Sequence, residues 1–247
     1  MDLGLKGKNA LITGGSRGIG LAITHALSEE GCNVAICARH SEHLVKTAVS
    51  LKRKSVDVLP LLGDALSSSD IERVVGTVIR RWGVIGILVN NVGGGGRWGS
   101  TFEDTEEQVW TDVYNKNAMA AMRFTKLVIP FMRKQKWGRV VTISSIYGKE
   151  GGGRPWFNMA KSAEISLMKS LSMDKRLVRD GITFNTVCPG HISVEGKTDE
   201  DNVEDFPLGR MGSPEEVANV VAFLCSEKTS LVNGACVVVD GGESRSF

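Results

Sequence analysis

Along this chain, short continuous apolar runs alternate with longer stretches whose apolar residues recur every three or four positions. The runs lie at residues 8–13, 34–38, 56–62, 85–90, 139–144, 182–187 and 235–239. They are too short for helices, rich in Val, Ile and Leu, and bounded by Gly, Asn or Ser, the pattern of strands covered on both faces. Helical periodicity covers 18–30, 41–53, 67–82, 105–136, 155–179 and 214–226. The first of these ends before Gly31, a natural C-cap, and the third opens on Ser and Asp residues that suit an N-cap. Strand–helix alternation from end to end predicts an α/β fold, a doubly wound seven-stranded parallel sheet of Rossmann-like form. No repeat or linker interrupts it, so residues 1–247 read as a single domain. Ligands in such sheets bind beyond the carboxyl ends of the strands. The loops after strands one, two, four, five and six are therefore where chemistry is expected.

Composition sharpens that expectation. There are 29 glycines and six prolines in 247 residues, and the glycines cluster at 14–20, 93–99 and 148–153. Clustered glycine in an otherwise apolar chain points to loops in which backbone must approach something closely. Thirty basic and 28 acidic residues leave a net charge of +2, which gives no electrostatic case for nucleic acid or an anionic membrane as partner. No apolar run approaches the length of a membrane span, and Met1-Asp2-Leu3 opens no secretory signal. Five cysteines without a CxxC pair read as reduced core thiols of a cytoplasmic protein, and no metal site is expected.

The first glycine loop, Thr13-Gly14-Gly15-Ser16-Arg17-Gly18-Ile19-Gly20, joins strand one to helix one. Glycines there let backbone approach a pyrophosphate, and the helix N-terminus supplies amides and the positive end of the dipole. The spacing is Gly-x3-Gly-x-Gly rather than GxGxxG, and no Lys-Ser/Thr follows Gly20 as a Walker loop requires. Gly14-Gly15-Ser16-Arg17-Gly18 also fits GxSxG, the nucleophile elbow of a hydrolase. That alternative needs a late histidine, for which only His191 is available, and an oxyanion loop from a preceding strand that does not exist. After strand two the chain reads Ala38-Arg39, without the carboxylate that would bind ribose hydroxyls of NAD. Arg39 together with Arg17 favours the additional phosphate of NADP(H).

Further pieces follow in order: Asn90-Asn91-Val92-Gly93 after strand four, Asn117 in the next helix, Ser144-Ser145 after strand five, Lys161 in the helix beyond, and Cys188-Pro189-Gly190 after strand six. With the first loop, Pro207-Leu208-Gly209-Arg210 and Val239-Asp240-Gly241-Gly242, this series resembles the short-chain dehydrogenase/reductase family over essentially the whole chain. It is most similar to the 3-oxoacyl-carrier-protein reductases and related ketoreductases. The resemblance implies that Gly14, Ser16, Arg17, Gly18, Ile19 and Gly20 hold the adenosine ribose and phosphates, with Arg39 at the 2′-phosphate. Asp64 would bond the adenine amino group beside Ala65. Asn91 and Gly93 would line the cofactor ribose, and Pro189, Gly190 and Ile192 the nicotinamide. Ser145, chosen over Ser144 by a Ser-x-x-Gly pattern ending at Gly148, would bond the substrate carbonyl. Lys161 would bind the nicotinamide ribose and supply positive charge. Asn117 would hold a water that links Lys161 to solvent. The implied partners are a small or carrier-tethered carbonyl substrate, an acyl carrier protein among them, and further copies of the chain as a homotetramer or homodimer.

One residue departs from the family's Tyr-x-x-x-Lys. Here the segment is Phe157-Asn158-Met159-Ala160-Lys161, and a phenyl ring neither gives nor takes a proton. Losing a general acid typically costs 10²–10⁴-fold in rate. Tyr147, two residues past Ser145, and His191, bordering the nicotinamide loop, are the candidate substitutes. Three explanations fit: an active enzyme inactivated by loss of one hydroxyl, a natural non-catalytic relative that binds NADP(H) and acts through a protein partner, or an enzyme with a displaced acid. Because Asn117, Ser145, Lys161 and both arginines remain, the first is the reading taken: an NADPH-dependent ketoreductase scaffold, impaired at Phe157.

On the substrate side, Arg97 and Trp98 in one glycine-rich loop, and Arg154 and Trp156 in another, are candidate contacts. A short acidic lid is expected at 191–206. Basic clusters Arg133, Lys134, Lys136, Arg139 and Lys175, Arg176, Arg179 offer a dock for an acidic carrier.

Overall fold

The computed structural model describes residues 1–51, 56–95, 101–194, 204 and 206–246. Seven parallel strands, β1 (Asn9–Thr13), β2 (Asn33–Ala38), β3 (Val58–Leu62), β4 (Ile87–Asn90), β5 (Gly138–Ile143), β6 (Ile182–Pro189) and β7 (Cys236–Val239), form one sheet in the order β3-β2-β1-β4-β5-β6-β7. Alternate residues of one strand feed two cores. Ala10 and Ile12 of β1 and Ile87 and Val89 of β4 face the first core, while Leu11 and Leu88 face the second. This is why the strands read as unbroken apolar runs. Helices α1 (Gly18–Glu29), α2 (Ser41–Leu51) and α8 (Pro214–Leu224) cover the first face. α3 (Ser68–Trp82), α5 (Ala120–Gln135) and α6 (Pro155–Ser172) cover the second, with α4 (Glu107–Tyr114) against α6.

Local chemistry explains the boundaries. Gly31 closes α1 at φ +82°, with Gly31 N donating to Ser28 O and Cys32 N to Leu27 O, the paired bonds of a Schellman motif. Ser67 caps α3 by accepting from Asp70 N at 3.2 Å. Pro60 sits in β3, an edge strand that pairs only with β2, so its missing amide leaves no central ladder bond unmade.

Two expected helices are interrupted. The stretch 105–136 begins at Glu107, and Asn115–Met119 forms a π-turn between α4 and α5. The stretch 155–179 ends at Ser172; Asp174 then accepts from Arg176 N and caps the four-residue α7 (Lys175–Val178). A side chain that bonds its own neighbours offers the backbone an alternative to continued helix. Among the described residues no helix is long and apolar enough to cross a membrane.

The basic clusters prove largely committed. Arg139 is 3% exposed and donates to Ser226 O, Gly138 O and Gly181 O, so it belongs to the interior rather than to a docking face. Arg133 and Lys136 both bridge to Asp180, and Arg176 bridges to Asp174.

Candidate active site

The strand order reverses direction between β1 and β4, which opens a crevice at their carboxyl ends. A cavity of about 230 Å³ lies there. Gly14, Ser16 and Arg17 line it from the first loop, Ala38 and Arg39 from the end of β2, Asp64 and Ala65 from the end of β3, and Asn91 and Gly93 from the end of β4. Of these, all but Ala38, eight residues, are ones assigned from the sequence to a dinucleotide, and they share one cavity. Arg17 is the N-cap of α1 and makes no side-chain capping bond. Asn91 ties the β4 loop to the β1 loop, its amide donating to Thr13 O at 3.0 Å and Gly14 O at 3.3 Å. Gly20 packs so closely that a Cβ there would lie 2.3 Å from Gly14 O. Asp64 is held in a local turn: its carboxylate accepts from Leu66 N, and its own backbone amide donates to the Asp70 carboxylate.

The cavity contains a third cation that the sequence reading passed over. Lys116, in the π-turn, lines it beside Arg39. Burial, then Arg39, then Lys161 push its ammonium below the usual lysine range, against a weaker opposing pull from Asp64. Its position next to Asn117 was the available signal, but a lysine in a presumed surface helix carries no mark of burial.

Beyond the cavity the β4 loop meets Asn117, Lys161 and Phe157. A Cβ on Gly93 would stand 2.6 Å from Asn117 Oδ1 and 3.0 Å from Lys161 Nζ, so glycine is required for this approach. Asn117 is fully buried. Its Oδ1 accepts from Gly94 N, and its Nδ2 donates to Gly94 O and Val113 O. Its side chain therefore clamps the glycine loop onto the π-turn. Of the two serines, Ser144 donates to Lys161 O at 2.9 Å, while Ser145 accepts from Tyr147 N at 3.2 Å. The Ser145 hydroxyl proton is not engaged in that bond.

Lys161 is nearly buried. Its ammonium donates to Ile143 O and to Glu164 Oε2, both at 2.9 Å. Glu164 was also missed. It lies on the buried stripe of α6 with Trp156, Ala160, Lys161 and Met168, and an acid on that stripe was legible as an anomaly. Burial pushes its carboxyl up to about 7, against the opposing effect of Lys161. The Phe157 ring centroid stands 5.7 Å from Lys161 Nζ, and Phe157 packs against the buried cluster of Val113, Trp156 and Ala160.

Pro189 ends β6, Gly190 N donates to Val239 O, and Ile192 bridges to Gly212. His191 is held by Glu243, which takes both its amide and its Nδ1, and Tyr147 meets the imidazole edge-on. Burial, then Glu243 and Glu150, raise the Tyr147 phenol above its ordinary range, the wrong direction for an acid. His191 lines a different depression from Ser16, which leaves the hydrolase alternative without its partners together. Trp156 is fully buried, donates to Gly95 O at 2.8 Å and stacks edge-on against Trp110. It anchors the glycine loop instead of facing a substrate. Arg97 and Trp98, and lid residues Glu195, Asp199, Glu200, Asp201 and Asp205, lie outside the described residues.

Comparison with known proteins agrees with this geometry. A family profile described as enoyl-(acyl carrier protein) reductase matches residues 14–244. The 3-oxoacyl-[acyl-carrier-protein] reductase FabG of Thermotoga maritima is 35% identical, over 96% of this chain and 98% of its own. Dehydrogenase/reductase SDR family member 4 of Oryctolagus cuniculus is 34% identical, over 96% and 94%. Among solved structures, L-sorbose reductase from Gluconobacter frateurii, complexed with NADPH and L-sorbose, aligns over 100% of both chains with a TM-score of 0.92 and 31% identity. From its fold, its ordered loops and these relatives, the chain belongs to the short-chain dehydrogenase/reductase family of oxidoreductases.

Proposed function

We propose that this chain binds NADP(H) in the cavity at the β1–β4 crevice and is built as a ketoreductase for a 3-oxoacyl or related carbonyl, with its acid position filled by Phe157. The observation that carries this reading is the cavity's charge: Arg17, Arg39 and Lys116 converge on it, and no carboxylate follows β2. The residues fit the cofactor: the cavity presents Arg17, Arg39 and Lys116 to its phosphates, and Gly20 and Gly93 let the surrounding loops pack against Gly14 O and Asn117 Oδ1, where a Cβ would clash. Gly14, Ser16, Gly18 and Ile19 would hold its phosphates, Arg17 and Arg39 the 2′-phosphate, and Asp64 with Ala65 its adenine. Asn91, Gly93 and Lys161 would meet the ribose, and Pro189, Gly190 and Ile192 the nicotinamide. When bound, that ring supplies or accepts hydride.

Ser145 would donate to the substrate oxygen and hold it in place. Asn117 keeps the glycine loop seated beside Lys161. At Phe157 no proton is available, so turnover should be depressed by the 10²–10⁴ that a general acid contributes. Titration calorimetry tests the cofactor assignment: NADPH is expected to bind at least tenfold more tightly than NADH, and equal affinities refute the roles given to the cations. Phe157→Tyr with a panel of 3-oxoacyl thioesters tests the reaction by NADPH consumption.

A second reading, a non-catalytic NADP(H)-binding protein that acts through a protein partner, is favoured by one observation. Lys161 and Asn117 each have internal partners that stand without any phenol. Their retention therefore no longer argues for a working catalyst. Tight NADP(H) binding with no turnover in Phe157→Tyr would select this reading.

A further inference from the structure

Lys161 and Glu164 are one turn apart on the face of α6 that packs against the sheet. The other buried positions of that face are Trp156, Ala160 and Met168. Glu164 is 1% exposed, and among the described residues Lys161 is the sole charge that shifts its carboxyl. Around the pair, β5 contributes the Ile143 carbonyl, the π-turn contributes the Lys116 ammonium, and α6 itself contributes the Phe157 ring. Two of the ammonium's three protons thus go to the interior, one of them to a carboxylate that water does not reach.

We propose that Glu164 is the resident counter-ion of Lys161, a positioning residue that draws the ammonium inward and cancels the charge through which it would acidify a phenol at position 157. The proposal rests on the reading of 157 as the acid position. A lysine charge at the observed 5.7 Å from the ring would lower a phenol by about two pH units at an effective dielectric of about 20. The carboxylate oxygen, 2.9 Å from Nζ, lies no more than about 9 Å from the ring. It therefore returns at least about two-thirds of that shift. Phe157 and Glu164 are then one coupled feature: the ion pair is complete without a phenol, and a phenol restored alone meets a neutralised lysine.

The test is a spectroscopic titration of the phenol, which requires neither substrate nor cofactor. The parent, with only Tyr114 and Tyr147, is the blank. In Phe157→Tyr the new phenolate should appear with a midpoint near or above the ordinary value of about 10. In Phe157→Tyr/Glu164→Gln, which keeps side-chain size and one acceptor for Lys161, it should fall by at least about one unit. A midpoint below about 9 with Glu164 in place, or no shift on its replacement, overturns the proposal. If the Gln variant does not fold, Glu164→Leu takes its place, and the value in Phe157→Tyr alone still decides. Failure here leaves the NADP(H) assignment untouched, since calorimetry tests that separately.

Discussion

Gly20→Ala is the sharpest probe of the first loop. A methyl group at this position would stand 2.3 Å from Gly14 O and 2.5 Å from Asn91 Nδ2. Ordinary contact begins near 3.4 Å, so Gly14 must retreat by about 1 Å. That movement works against two bonds, Gly14 N to Cys37 O at 2.7 Å and Asn91 Nδ2 to Gly14 O at 3.3 Å. Each is worth about 1 kcal/mol, and overpacking of a tight site adds about 1–3 kcal/mol. The expected loss is about 3–5 kcal/mol, which for a chain of this size lowers Tm by roughly 6–20 °C. NADPH affinity should fall at least about tenfold, because the displaced backbone is the part of the cavity assigned to the phosphates. Gly151→Ala is the control, since none of the described residues lies within 4 Å of a Cβ there. Calorimetric titration with NADPH beside thermal unfolding reads both effects. A Gly20→Ala protein that binds NADPH as tightly as Gly151→Ala would refute the assignment of this loop to the cofactor.

Two more outcomes follow from buried polar groups. Burial raises the Glu164 carboxyl from 4.5 to about 7, so the folded protein holds that proton more firmly than the unfolded chain does. Its contribution to stability is full below about pH 4.5 and is lost as pH rises through about 7, by at most about 3 kcal/mol. The Tm of the parent relative to Glu164→Gln should accordingly fall across that window; the comparison cancels carboxyls shifted the other way, such as Asp57 and Asp180. A pH-independent difference would refute a raised carboxyl. Trp156→Phe removes the indole bond to Gly95 O and some buried area, and should cost about 1–3 kcal/mol in denaturant unfolding. A loss below about 0.5 kcal/mol would mean that Trp156 does not anchor the glycine loop.

Local signals were readable wherever they obeyed a fixed geometry. The apolar runs were visible because each strand buries both faces, as Leu11 and Ile12 do on opposite sides of β1. Gly31 and Ser67 marked helix ends because backbone amides and carbonyls there have few ways to be satisfied. The break at Met173 was less visible, since Asp174 suits either a helix surface or a cap until its neighbours' amides are placed. The π-turn at Asn115–Met119 left no mark in the apolar period, although it is what turns Asn117 toward Gly94.

The sequence by itself determined the class of fold, the order of the loops on one sheet edge, and the absence of a hydroxyl at position 157. Each depends on periodicity or on the identity of one side chain. Only the tertiary structure decided which charges face one another. Arg139 looked like surface and is interior; Trp156 looked like a substrate contact and is an anchor; Lys116 joins Arg17 and Arg39 from three separate segments. Glu164 faces inward and binds the ammonium of Lys161. The physical reason is common to all four. What a side chain does depends on its burial and its neighbours, and those are set by contacts between segments that the linear chain keeps apart.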